Sequence, residues 1–429
     1  MTVPPLTPDA PEIAAEAIRA TITRVLEKVN ALSEGGPGWT RPSYSDLESR
    51  AHAIVESEAS ALGLQVSRDH AGNLFARMAG RNPSLPALYC GSHLDTVSQG
   101  GAYDGQAGVA GALALVSAMR ATGVTLHADF VVTVTRAEES VWFPVSYIGS
   151  RAALGRLLPE DLKATRVDSG RTLADHMREQ GFDPEALIAA PPPDRARFLE
   201  FHIEQGPVLD RAGEAYGIVT AIRGGLRYRN AALHGTWAHS GGAPRDGRAD
   251  AVVAFADLVM AIDRIWAKFL AEGSDLTVTF GQVDAATPAH AMAKVAGELG
   301  FCVDLRSEDV TVLEAADLAL RRETARIETE RPGIRFDLGA QSRSQPAQLS
   351  RVMADWIAGG AAMIGDSPRR MLSGGGHDAA AFSNAGWDST MVFIRNWNGS
   401  HCPDEGMDAA DLARAVGAVF AALSENTGP

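Results

Sequence analysis

Cysteine is nearly missing from this chain of 429 residues, which holds three, Cys90, Cys302 and Cys402, scattered along it. A small, odd set of thiols argues against a disulfide scaffold and suits a reducing cytoplasm, the expected location. Long apolar runs are missing too. Nothing approaches the ~18 residues a membrane helix needs, so no membrane partner is expected. The opening stretch MTVPPLTPDAPEIAAEAIRA has no basic region followed by an apolar one, so no secretory signal is expected either. Positive charge is in short supply, with 39 Lys and Arg against 53 Asp and Glu and a net charge of −14. That balance disfavours nucleic acid and anionic lipid as partners. Internal repeats and low-complexity tracts are also lacking.

What is present reads as an ordinary globular protein, with 45% hydrophobic and 21% charged residues. The length allows two domains and a sizeable core. Apolar spacing predicts helices over about 11–33 and 44–62, the second with Ser45 as N-cap and Gly63 as stop. Short strands are expected at 64–66, 73–77 and 87–90, then a small-residue helix at 108–119 and a core strand at 129–135. A further strand at 198–203 completes an alternating pattern, hence α/β with a mixed sheet. From about 211 the character changes to strands at 216–219, 227–234, 276–283 and 300–306 with helices at 247–270 and 309–328. This predicts a smaller α+β domain, 211–329, inserted into an α/β domain made of 1–210 and 330–429.

Five residues stand out together: His93, Asp104, Glu139, His202 and His401. Each follows or ends an apparent strand or sits in a Gly/Ser-rich turn, where an α/β protein places metal ligands. Alone, a histidine is more often structural, and a Glu-Glu pair is usually a solvated face. As a set they suit two divalent ions sharing a bridging carboxylate. Asp104, in an Asp-Gly turn, is the natural bridge, with His93 and His202 on one ion and Glu139 and His401 on the other. Asp95, two residues beyond His93, is placed to orient that imidazole. Adjacent carboxylates diverge, so Glu139 is expected as the ligand and Glu138 as a free general base beside a metal-bridged hydroxide.

The segments GSHLDTVSQGGAYDG (91–105), EFHIEQGPVLD (200–210), HGTWAHSGGAPRDGRADA (234–251), SGGGHDAAAF (373–382) and GSHCPDE (399–405) resemble those of a known family. It is the family of dinuclear-metal amidohydrolases that includes N-carbamoyl-L-amino-acid hydrolases, allantoate amidohydrolase and β-ureidopropionase, relatives of aminoacylases and carboxypeptidase-like metallopeptidases. The resemblance runs from about Trp39 to the C-terminal helix. It implies the ligand set above, Glu138 as base, and two ions, Zn²⁺ or Mn²⁺, with Co²⁺ or Ni²⁺ as alternatives. It also implies substrate contacts at Gln205, His239 and His377, and at Arg306, whose guanidinium would fork onto a substrate carboxylate. His239 would donate to the developing oxyanion across a homodimer interface, with the inserted domain acting as lid and dimerisation module.

Two positions depart from the family pattern. After the Glu-Glu pair the family reads Gly-x-Arg-Phe, whereas residues 140–143 here are Ser-Val-Trp-Phe, and the family's Asn before Val-Ile-Pro-Gly is Ala293. A bulkier or more apolar acyl group would have room there and could use the indole of Trp142. The expected activity is therefore hydrolysis of a linear amide of an N-substituted amino acid, either N-carbamoyl or N-acyl. A non-catalytic ligand-binding homologue is the remaining alternative. Three other features are expected to be ordinary: Gly374–Gly376 lacks the Lys-Ser/Thr of a phosphate loop, Arg223, Arg227 and Arg229 form an exposed strand face, and Cys402 is a packing residue. Arg245 and Arg248 lie at a helix start, where the dipole does not favour cations, which hints at function for one of them.

Overall fold

The computed structural model describes residues 10–425, in two compact units: one running up to Thr220 and resuming at Gln348, the other Ala221–Ala347. The sequence-based limits at 211 and 330 need correction at both ends. Strand Tyr216–Ile222 pairs antiparallel with Asp388–Ile394 in the larger unit's sheet. Strands Arg335–Asp337 and Gln341–Ser344 pair with Gly224–His234 in the smaller unit. Hydrogen-bonded ladders decide membership, and a single strand's composition does not reveal its partner.

The larger unit is built on a nine-stranded mixed sheet. Its central strands run in the order 130–135, 88–93, 197–203, 388–394, all parallel. Strand Leu88–His93 has its chain successor, Phe130–Thr135, on one side and Arg197–Ile203 on the other, which makes its carboxyl end a topological switch point. That strand was expected to stop at Cys90. It continues because its ladder with 130–135 stays in register to His93↔Thr135, so His93 is the last strand residue.

Helices Ala10–Asn30, Gln106–Thr122, Arg351–Met363 and Ala409–Ser424 contribute to the main apolar core with the inner strands. Helix 106–122 lies very close to the sheet because it is made of small residues. A Cβ on Gly108 would meet the carbonyl oxygen of Phe201 at 2.2 Å. Helix Asp46–Ala61 is capped by Ser45 Oγ, which accepts from the Glu48 amide at 3.3 Å.

The smaller unit is an antiparallel sheet centred on the long pair Gly224–His234 and Glu298–Ser307, with helices Ala251–Ala271 and Val310–Glu330 sharing its core. The expected strand 276–283 is two short pieces, Thr277–Thr279 and Val283–Asp284, each pairing with a different part of 298–307. Arg223 forks onto Asp275, and Arg227 pairs with Asp304 at 3.1 Å, so both are structural cations.

One buried group makes stability depend on pH. His52 is fully buried, neither ring nitrogen has a hydrogen-bond partner among the described residues, and burial, with Arg136 and Arg68 nearby, drives its pKa well below the imidazole range. Unfolded, the ring takes up a proton near pH 6.5; folded, it does not. Stability is therefore lost as pH falls through 6.5, by roughly 1.4 kcal/mol per pH unit until the folded-state pKa is reached. Denaturation midpoints at pH 7.5 and 5.5 should differ more for the native chain than for His52→Leu.

Candidate dinuclear metal centre

The site collects at the carboxyl ends of the four parallel strands. His93 ends one strand, Glu138 and Glu139 follow the second, His202 lies in the third, and His401 follows the fourth in a turn with φ of 60°. Asp104 stands between them just before helix 106–122. Its neighbour Gly105 has φ of 67°, and a Cβ there would meet the His93 ring at 2.5 Å, so only glycine lets the imidazole lie against this turn.

The two Asp104 oxygens face different partners. Oδ1 lies 3.4 Å from His93 Nε2 and 3.3 Å from His202 Nε2. Oδ2 lies 3.4 Å from His401 Nε2, which is also 3.4 Å from Glu139 Oε1. Three groups of potential ligand atoms result, of which His93–Asp104–His202 and Asp104–Glu139–His401 are nests joined through one carboxylate, and Glu200–His202–His377 shares only His202 with the first. The far ring nitrogens are engaged as well. His93 Nδ1 faces the Asp95 carbonyl at 3.0 Å and its carboxylate at 3.3 Å, and His202 Nδ1 faces the Ile203 carbonyl at 2.9 Å. Oxygens on Nδ1 hold the proton there and turn each Nε2 lone pair toward Asp104.

These separations exceed the ~2.7–2.9 Å of a charge-assisted hydrogen bond. They match the edge of a tetrahedron around an ion whose ligands sit at about 2.0–2.1 Å, which is about 3.3–3.4 Å. The donor set, imidazoles and carboxylates with no thiolate or ammonium, suits a hard to borderline divalent cation. On geometry and chemistry the residues fit two such ions.

Electrostatics point the same way. Burial works against ionising Asp104, yet His202, His401 and His93 together hold its pKa well below the carboxylate range. His401 is pushed up to about 9, chiefly by Asp104. Burial raises Glu139 to about 7, helped by Asp104. Burial also pushes Glu138 well above the carboxylate range; His93 opposes this, while Glu139 and Asp378 add to it. So much buried negative charge calls for positive charge between imidazole and carboxylate, which protons or divalent cations can supply.

Asp95 does more than orient His93. Its Oδ1 accepts the Glu138 amide at 3.1 Å and its Oδ2 the Glu139 amide at 3.2 Å, while Ser43 Oγ donates to Oδ2 at 2.6 Å. One buried carboxylate thus ties a candidate ligand to both neighbouring glutamates. Gln205, at φ of 60°, donates its Nε2 to Asp104 Oδ2 at 2.6 Å and lies 3.3 Å from His401 Nε2. His377 is buried, with Nε2 3.0 Å from Ser373 Oγ and its ring 4.4 Å from that of His202.

Trp142 packs within the larger unit. It is 7% exposed, donates its indole N–H to Thr96 O at 2.7 Å, and belongs to an apolar cluster with Tyr44, Phe143 and Ile148.

His239 and Arg306 belong to the smaller unit. His239 is exposed, and its Nδ1 accepts from the amides of Gly241 at 3.2 Å and Gly242 at 3.0 Å, which leaves the proton on Nε2 as a donor. Arg306 pairs with Asp304 at 2.8 Å. Arg248 donates to Ser240 O at 2.6 Å, bracing the loop that carries His239.

Sequence reasoning missed several supporting residues. Glu405 accepts the amides of Tyr103 at 3.0 Å and Asp104 at 3.2 Å, and Ser400 lies 3.0 Å from Asp104 Oδ2. Glu200 binds Ser92 Oγ at 2.7 Å and the Ala379 amide at 2.8 Å. All three lie inside the quoted motifs, so the available signal was a polar residue beside a ligand.

Imidazole–carboxylate nests at a switch point, with Glu138 alongside, fit a metal-dependent hydrolase. Residues 89–425 match peptidase family M20/M25/M40, and the chain belongs to that family. It is 32% identical over 406 residues to the N-carbamoyl-L-amino-acid amidohydrolase of Paenarthrobacter aurescens, covering 93% of this chain and 96% of that one. The allantoate amidohydrolase of Escherichia coli is 31% identical over 382 residues, covering 88% and 90%. Among solved structures, an amidase of the hydantoinase/carbamoylase family from Burkholderia multivorans superposes with a TM-score of 0.85 at 25% identity, covering 95% of this chain and 97% of that one.

Proposed function

We propose that the chain hydrolyses an N-carbamoyl amino acid, giving the free amino acid, carbon dioxide and ammonia. The substrate is supported by the activity named for relatives such as the N-carbamoyl-L-amino-acid amidohydrolase of Paenarthrobacter aurescens, and the metal chemistry by the divided Asp104 carboxylate, whose oxygens stand 3.3–3.4 Å from three imidazoles. His93, His202 and Asp104 Oδ1 would hold one divalent ion, and His401, Glu139 and Asp104 Oδ2 the other, with Zn²⁺ or Mn²⁺ favoured by the donor set. Bound there, the ions would lower the pKa of water and polarise the amide carbonyl. Glu138 takes the water proton and returns it to the leaving nitrogen, a role suited to a buried carboxyl with a raised pKa. Asp95 keeps Glu138 in place through its amide. His239 supplies an N–H donor for the developing oxyanion, and Arg306 takes the amino-acid carboxylate, as their motifs imply. We further place the protein in the cytoplasm as a homodimer, in keeping with its three free thiols and the family resemblance.

One observation favours a second reading, an N-acyl substrate. Ala293 brings no side-chain hydrogen bond, and its carbonyl is occupied by the Ser240 amide at 2.9 Å. The two are separated by assaying ammonia from N-carbamoyl amino acids against carboxylic acid from N-acyl ones. Ammonia release in the first assay and none of the second activity is expected; the reverse result assigns the N-acyl reaction. Treatment with a chelator should abolish either activity, and adding Zn²⁺ or Mn²⁺ should restore it. Activity that survives full metal removal would sink the proposal.

A further inference from the structure

The turn that leaves strand Phe130–Thr135 has an unusual set of partners. Its four successive amides are all taken by side chains from elsewhere: Arg136 by Asn73 Oδ1 at 2.9 Å, Ala137 by Glu48 Oε1 at 3.0 Å, and Glu138 and Glu139 by the two oxygens of Asp95. Ala137 sits in the left-handed region at φ of 51°, a conformation that only its surroundings can enforce. The amide of the strained residue is the one Glu48 holds.

Glu48 is itself fixed. Its Oε2 accepts from the Tyr44 amide at 2.7 Å and from Arg136 Nη1 at 2.9 Å, and both charged side chains are fully buried. The Arg136 Nε donates to Gly72 O at 3.0 Å, and its guanidinium lies 4.7 Å from the Phe182 ring centroid. Glu48 belongs to helix 46–61, and among the described residues the hydrogen bonds and ion pairs of Glu48 and Arg136 go to none of those assigned to metal or substrate. A buried ion pair away from the chemistry is a costly way to gain stability alone. Its other effect is to dictate where the next two side chains point.

We propose, on the basis of the function read above, that Glu48, locked by Arg136, is a positioning residue for the Glu138–Glu139 pair. It holds the turn at Ala137 so that Glu139 reaches the nest with Asp104 and His401 while Glu138 is left free. Asp95 ties the same turn to His93, so the two carboxylates give it a fixed register against both nests.

The test is Co²⁺ titration, followed by its visible absorption, alongside steady-state kinetics. Removing Glu48 alone strands a buried guanidinium, so the main variant is the double replacement Glu48→Gln/Arg136→Met. It should bind the first Co²⁺ equivalent as the native chain does and the second about 10–100-fold more weakly. Its kcat should fall by at least that factor with KM within about threefold. Native uptake of both equivalents with native kcat, in a double variant that melts like the wild type, overturns the proposal. An unfolded double variant moves the decision to Arg136→Lys, which keeps the charge and loses the fork; weakening confined to the second ion supports the proposal, and native behaviour overturns it. A native chain that binds two Co²⁺ but hydrolyses neither substrate class refutes the function proposed above, while the titration still decides the role of Glu48.

Discussion

Replacing Glu138 by Gln should lower kcat by about 10²–10⁴-fold while two equivalents of metal remain bound and KM changes little. The substitution is nearly isosteric. The Asp95 contact to residue 138 is made through the backbone amide, so the turn should survive. Among the described residues the Glu138 carboxylate accepts no hydrogen bond, so the change removes no structural partner. What it removes is the carboxylate proposed as the base, whose proton affinity burial raises. The measurement is kcat and KM with metal analysis on the same preparation. Unchanged kcat with full metal content would dismiss Glu138 as the base.

Asp104→Ala should be more severe. Three imidazoles lie within 3.4 Å of this one carboxylate, so both nests lose a member together. Metal content should fall from two equivalents to below one, and activity by on the order of 10⁴-fold or more, since the proposed mechanism relies on metal-activated water. His401→Ala removes a group from one nest only and should leave about one equivalent bound, because the His93 and His202 side is untouched. Equal metal loss in the two variants would contradict a bridging role for Asp104. The Asp104 variant should still fold, because its backbone amide and those around it stay satisfied by Glu405 and Tyr103.

The candidate site was readable in the sequence to an unusual depth because its chemistry is local. His93, Asp104, Glu139, His202 and His401 each lie beside a strand end or a glycine turn, and the structure brings all five together. Asp95 was legible as the orienter of His93. Its hold on two amides more than forty positions away was not, because a hydrogen bond across the chain leaves no periodic trace. Glu48 was hidden for the same reason: within helix 46–61 it reads as one more acidic residue of a first turn. The surroundings of Trp142 were not legible either, because an aromatic beside candidate catalytic residues looks the same in sequence whether it faces a ligand or a core. Only the Thr96 carbonyl and the surrounding apolar cluster distinguish the two.

Read alone, then, the sequence established the α/β class and pointed to a second, inserted domain and to a set of candidate groups for the chemistry. Those follow from hydrophobic period, turn residues and donor type, properties each segment carries alone. Only the tertiary structure decided where the units divide, that His93 ends a strand, that the two Asp104 oxygens face different imidazoles, and that four amides of one turn are held by side chains from elsewhere. Such facts depend on pairing between distant segments, and pairing is settled by the packing of the whole chain.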